Sequence, residues 1–216
     1  MVNEKIESIK KTLPKDVELI AVSKTKPLEM IQQAMESGHL DFGENKVQEM
    51  IHKHESLSKD IRWHMIGHLQ RNKVKYIAPF VHLIHGADSK KLLDEINKQG
   101  SKNKRTINCL VQFHIASESS KFGFSIEEIR DVIDSKHYLK WGNINIQGVM
   151  GMATFTNDKN QIKAEFGLLK KYFEELKPIF GENFKTLSMG MSGDYLEAIS
   201  KGSNMIRIGS DIFGER

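Results

Sequence analysis

Lys24 follows the apolar run Leu19-Ile20-Ala21-Val22-Ser23 and precedes Thr25-Lys26-Pro27. If residues 18–23 form a strand, the alternation of side chains puts Ile20, Val22 and Lys24 on one face, with the lysine at the end of an apolar column. Partial burial strips hydration from an ammonium, lowers its pKa and leaves an amine able to attack a carbonyl carbon as a Schiff-base nucleophile. Taken alone, the pattern still favours a pair of solvated loop lysines, Lys24 and Lys26.

A second constellation sits near the other end of the chain, where Met205-Ile206-Arg207-Ile208 leads into Gly209 and Ser210. A strand followed by Gly-Ser at a helix start exposes backbone N–H groups and a hydroxyl, which suits a phosphate. Arg207 lies within an apolar run, so its guanidinium must be paired or aimed at a ligand. An internal carboxylate would satisfy it equally. Residues 187–194 (LSMGMSGD) are small enough for close backbone approach. Ser192 there can donate to a phosphate oxygen while Asp194 caps the following helix, although a plain N-cap turn explains the same residues. The G-M-S-G spacing is not the G-x-S-x-G of a hydrolase elbow. Asn45, after Gly43-Glu44, and the small residues of Met150-Gly151-Met152-Ala153 end two further apolar runs.

Other chemistries find less support. His64 and His68 lie four apart, roughly 13 Å along a strand, and His52 and His54 read as the solvated face of a helix. Cys109, the one cysteine, stands among Leu110, Val111 and Phe113 and reads as a buried, inert thiol. The net charge of +4 arises from 32 basic and 28 acidic residues interspersed along the chain, so the basic runs Arg71–Lys75 and Lys102–Arg105 read as solvated surface rather than a nucleic-acid patch. The amino terminus is charged throughout, and no stretch approaches the roughly 18 apolar residues of a membrane span. A cytoplasmic protein with no membrane partner is expected.

Positioning such groups requires elements that end at a common face. Short runs rich in Val, Ile and Leu alternate with amphipathic stretches, the signature of βαβ units. Strands are predicted at 18–23, 40–43, 62–66, 81–86, 106–115, 143–151, 186–191 and 205–209. Helices are predicted at 27–37, 46–56, 70–77, 89–99, 125–135, 160–176 and 194–201, with an extra N-terminal helix near 2–13. This pattern predicts an α/β fold, a single (β/α)8 TIM barrel in one domain spanning 1–216, with active groups at the carboxyl ends of the strands. A doubly wound open sheet shares the alternation, but no G-x-G-x-x-G follows the first strand.

The strings AVSKTKP, FGENKVQE, WHMIGHLQRNK, SSKFGF, GVMGMA, LSMGMSGD and RIGSDIFGER, in this order, resemble those of the pyridoxal phosphate homeostasis family, also called the proline synthetase co-transcribed family. That family in turn resembles the N-terminal barrel of alanine racemase. The resemblance implies pyridoxal 5′-phosphate as cofactor, held as an internal aldimine on Lys24, with Lys26 a nearby secondary lysine. It further implies Asn45 near the cofactor ring, Ser192 on the phosphate with the backbone of Gly209 and Ser210, and Arg207 at the pyridine nitrogen. Two positions depart from the family, which often carries proline where this chain has His68 and Thr154.

A guanidinium only donates, which leaves the pyridine nitrogen unprotonated and the ring a weaker electron sink. Alanine racemase draws a second base, a tyrosine, from an additional β domain with no counterpart expected here. The implied role is therefore to hold the cofactor and deliver it to apo forms of pyridoxal phosphate enzymes, as a monomer, without efficient catalysis. A genuine amino-acid racemase is the alternative.

Overall fold

The eight apolar runs become eight short strands: β1 (Glu18–Val22), β2 (Asp41–Glu44), β3 (Arg62–Met65), β4 (Leu83–Ala87), β5 (Ile107–Gln112), β6 (Ile144–Met150), β7 (Thr186–Ser188) and β8 (Met205–Ile208). They come from a computed structural model that describes residues 1–118 and 122–215. Ser119, Ser120 and Lys121 of the SSKFGF string, and the final Arg216, lie outside the described residues.

All pairings are parallel and follow chain order, and β8 closes onto β1 with Ile20 opposite Arg207 and Ala21 opposite Ile208. The expected (β/α)8 barrel is therefore present, and the open sheet is excluded. Side-chain alternation splits each strand between two cores. Ile20, Leu83, Leu110, Met150 and Met205 fill the barrel interior. Leu19, Ala21, Ile84, Val111 and Ile206 face outward and join the helices in the larger core.

The helices are α1 (Val2–Thr12), α2 (Leu28–Glu36), α3 (Val47–Ser56), α4 (Val74–Ile77), α5 (Lys90–Lys102), α6 (Ile126–Asp134), α7 (Lys159–Phe180), α8 (Tyr195–Ser200) and α9 (Ser210–Phe213). The extra helix α1 buries Val2 and Ile6 and packs on α2 and α9. Start signals are local: α6 begins in a capping box, with Ser125 Oγ accepting from the Glu128 amide and Glu128 Oε2 accepting from the Ser125 amide.

Several boundaries move. The predicted helix at 70–77 divides into a 3₁₀ turn, Arg71–Lys73, and the single turn of α4. The long run 106–115 stops at Gln112, beyond which Phe113 keeps one bond to the Met150 carbonyl and bridges to Phe124. Helix α7 continues past residue 176 to Phe180, whose ring stacks on Phe184 at 5.3 Å. Cys109 is buried as expected, and burial pushes its thiol up to about 12. Among the described residues no helix is long and apolar enough to cross a membrane.

Candidate functional site

A cavity of about 730 Å³ opens at the carboxyl ends of the strands, and Lys24, Asn45, Ser192, Arg207, Gly209 and Ser210 all line it. Strand parity is met: Ile20 lies in the barrel interior, and Val22 and Lys24 reach the cavity above it. Lys24 and Arg207 come from paired strands, so closure of β8 on β1 is what brings the two ends of the chain to one pocket.

The turn that bears Lys24 is held from behind. Thr25 adopts a left-handed φ of 65°, uncommon for a residue with a side chain, and the Lys26 amide closes the turn on the Ser23 carbonyl at 3.0 Å. Its grip comes from charged groups of β2 and α3. Lys53, 3% exposed, donates at 2.7 Å to each of three acceptors: the Ser23 carbonyl, Glu44 Oε1 and Glu49 Oε1. Glu44 Oε1 also accepts from Ser23 Oγ at 2.6 Å, and Glu49 Oε1 accepts from the Thr25 amide at 2.5 Å. Both flanks of Lys24 are thereby fixed. Burial pushes the Glu44 carboxyl above its usual range, against the pull of the Lys53 ammonium.

At the other side of the pocket Arg207 is 3% exposed and donates through Nη1 to Ser188 Oγ at 2.6 Å and through Nη2 to the Gly151 carbonyl at 3.2 Å. Burial lowers its pKa to about 10, still a cation at neutral pH. It takes no carboxylate directly among the described residues, which answers the alternative left open by its sequence setting. Gly209 follows β8 beside Val22, where an added Cβ would make ordinary contact at 3.4 Å.

The loop after β7 turns at Gly190, whose φ is 100° and where a Cβ would stand 2.7 Å from that of Ala198. Ser192 follows on this turn. Asp194 was expected to cap α8, and it holds the N-cap position without a side-chain capping bond. Its Oδ1 instead accepts from the Met191 amide at 2.6 Å and so stiffens the turn carrying Ser192. Asn45 is set by close backbone contact: a Cβ on Gly67 would lie 2.6 Å from the Asn45 carbonyl oxygen.

At the rim of the cavity, Lys26 is engaged by backbone. Its Nζ donates to the carbonyls of Phe213, Gly214 and Glu215 at 3.3, 3.0 and 3.1 Å, capping the end of α9. His68 pairs with Asp88 at 2.8 Å and stacks on Phe122 at 4.0 Å. Thr154 uses the groups that a proline lacks, its amide and hydroxyl both donating to Glu165 at 2.6 Å. His64 is buried in the barrel, apart from His68 at the rim. His52 is exposed, as expected, whereas His54 is not simply solvated: its ring stacks on Phe80 at 3.8 Å.

Sequence reasoning missed Lys53 and Gln112. Lys53 shares the buried stripe of α3 with Val47 and Met50, and that spacing was its signal. Gln112 ends β5 at the pocket, its Nε2 bonded to the Phe122 carbonyl at 2.8 Å, and nothing local distinguishes it.

Closed parallel barrel and site together define a known class: the chain belongs to the family described as alanine racemase, N-terminal domain, whose model matches residues 2–216. The relatives it resembles are more particular. It is 36% identical over 199 residues to the pyridoxal phosphate homeostasis protein of Aquifex aeolicus, covering 92% of this chain and 86% of that protein. To the human pyridoxal phosphate homeostasis protein it is 36% identical over 232 residues, covering 100% and 84%. Among solved structures, PipY of Synechococcus elongatus without PLP superposes with a TM-score of 0.93 at 30% identity, over 99% of this chain and 100% of that one. PipY with PLP bound gives 0.91 at 29%, with the same coverage. Alanine racemase from E. faecalis shares the fold at 16% identity and TM-score 0.75, the chain matching 58% of its length.

Proposed function

We propose that this chain binds pyridoxal 5′-phosphate covalently through Lys24 and takes part in intracellular homeostasis of the cofactor, holding it and handing it to apo enzymes without efficient catalysis of its own. The reading rests above all on the convergence of Lys24, just past β1, with Arg207 of β8 and Gly209 and Ser210 just past it, on one cavity. The names of the relatives and the PLP-bound PipY structure support the same cofactor.

The residues present fit the group. Lys24 offers the amine; Ser192, Ser210 and the backbone around Gly209 offer hydroxyl and N–H donors for a phosphate; Asn45 borders the space between them. Buried Arg207 lines the cavity as a fixed cation whose guanidinium has only hydrogens to present. When bound, pyridoxal phosphate supplies an aldehyde that captures amines and a ring that draws electrons from them. Placed at the ring nitrogen, Arg207 would act only as a donor, keeping protons off that atom and so restraining the electron withdrawal that proton abstraction requires. The Glu44–Lys53–Glu49 group holds the Lys24 turn in place for attachment. We read the chain as a monomeric cytoplasmic domain.

Borohydride reduction after incubation with pyridoxal phosphate, followed by peptide mass spectrometry, should place the added mass on Lys24. An unlabelled Lys24, or equal labelling of Lys24→Ala, refutes the covalent reading. The racemase alternative predicts exchange of the α-hydrogen of alanine at ordinary enzyme turnover, on the order of 10 s⁻¹; exchange that fast would replace the delivery reading.

A further inference from the structure

A row of polar side chains crosses the barrel interior beneath the pocket. Arg207 Nη1 donates to Ser188 Oγ at 2.6 Å, and Ser188 Oγ lies 3.3 Å from His85 Nδ1. His85 Nε2 lies 3.0 Å from His64 Nδ1, and His64 Nε2 lies 3.2 Å from Asp41 Oδ1. Asp41 also receives Arg62 Nε at 2.6 Å and Nη2 at 2.5 Å. The row starts at the pocket and ends at the first residues of β2 and β3, at the opposite mouth of the barrel. Ser188 and His85 are fully buried and His64 is 1% exposed.

The chemistry of each group fixes the direction. An arginine can only donate, so Ser188 Oγ accepts from Arg207 and must place its own hydrogen elsewhere. His85 Nδ1 is the acceptor within reach among the hydrogen bonds of the described residues. Accepting there leaves His85 with its hydrogen on Nε2, facing His64 Nδ1, which must then accept. His64 in turn carries its hydrogen on Nε2 and donates it to the Asp41 carboxylate. Every dipole in the row then points from the Arg207 cation toward the Asp41 anion, the orientation their field favours.

Two electrostatic facts agree. Burial, with the nearby His64, Arg207 and His82 adding to it, holds His85 well below the ordinary histidine range, so the ring stays neutral. Burial raises the Asp41 carboxyl, but hydrogen bonds from His64 and Arg62 outweigh it and keep the group ionised.

We propose that His85 and His64 are positioning residues for Arg207: as neutral Nε2–H tautomers they carry a one-way row of hydrogen bonds from Ser188 to Asp41, and that row locks the guanidinium toward the pocket. What Arg207 then does for a bound pyridine ring rests on the function proposed above.

The test uses the full chain without cofactor, labelled with ¹⁵N-histidine and ¹⁵N-arginine. NMR near neutral pH should give single Nε2–H tautomers for both rings, assigned by the signals lost in His85→Asn and His64→Asn. The Arg207 Nη signals should be resolved, reporting a guanidinium that does not rotate freely. They should stay resolved in His85→Asn, whose amide oxygen can replace Nδ1 as acceptor, and merge in His85→Leu and Ser188→Ala. Should His85→Leu fail to fold, Ser188→Ala and the tautomers carry the test. A hydrogen on Nδ1, a doubly protonated ring, or Arg207 signals indifferent to losing Ser188 overturns the proposal. Borohydride labelling is run alongside: the stated tautomers with an unlabelled Lys24 reject only the cofactor reading, and a labelled Lys24 with Nδ1–H rings rejects only the relay.

Discussion

Lys53 Nζ lies 2.7 Å from the carbonyl oxygen of Ser23, the residue immediately before Lys24. A buried cation on α3 thus holds the backbone that presents the candidate nucleophile, and the same cation pairs with both Glu44 and Glu49.

Removing that cation should reach the pocket. Lys53→Met strands buried Glu44 without its partner, a loss of about 3–5 kcal/mol, which for a chain of this size lowers Tm on the order of 10 °C. In the protein that remains folded, borohydride-trapped cofactor on Lys24 should fall several-fold, with part recovered in Lys53→Arg. Undiminished trapping in folded Lys53→Met would mean that the cluster stabilises the barrel without positioning Lys24.

Lys26 should behave as a tether. In Lys26→Met the carbonyls of Phe213, Gly214 and Glu215 lose their shared donor. Hydrogen exchange measured by mass spectrometry should rise at residues 213–215, while Lys24 remains the site of labelling. Loss of label from Lys24 would instead make Lys26 a partner in attachment.

Thr154→Pro tests the rim. The substitution removes both donors to Glu165 and the hydroxyl that accepts from the Ser117 amide at 2.9 Å. Losses of this kind cost about 2 kcal/mol in total when the orphaned acceptor is partly buried. Denaturant unfolding should show that loss, and a smaller one when Glu165→Ala is already present. Additive losses would indicate that the Glu165 contacts contribute nothing.

Acid should weaken the fold before most carboxylates titrate. Burial, assisted by the Lys10 charge, lowers the pKa of His39 to about 4 from its ordinary 6.5. Above pH 6.5 neither folded nor unfolded chain is protonated there; between 6.5 and about 4 only the unfolded chain takes the proton. Stability therefore falls as pH falls through that window, by up to about 1.4 kcal/mol per pH unit for this one group. His85 acts in the same direction. Urea unfolding across the window should be less pH-dependent in His39→Gln than in the parent chain; equal slopes would remove His39 from the account.

Much of the site was written in local pattern. Alternation along β1 placed Lys24 above Ile20 and Val22, the Ile-Arg-Ile-Gly-Ser order marked the end of β8, and both reach the cavity. Eight apolar runs fixed the number of strands, because period and length are properties of neighbouring residues. Whether the sheet closed was not local, since closure depends on Ile20 meeting Arg207 from the far end of the chain. Tertiary packing likewise decided what surrounds Lys24. Lys53 became a buried clamp rather than a surface charge, Lys26 a cap on α9 rather than a solvated loop lysine, and His64, His85 and Ser188 one interior row. Each of these roles depends on a partner from another strand or helix, and only packing brings such partners within hydrogen-bonding reach.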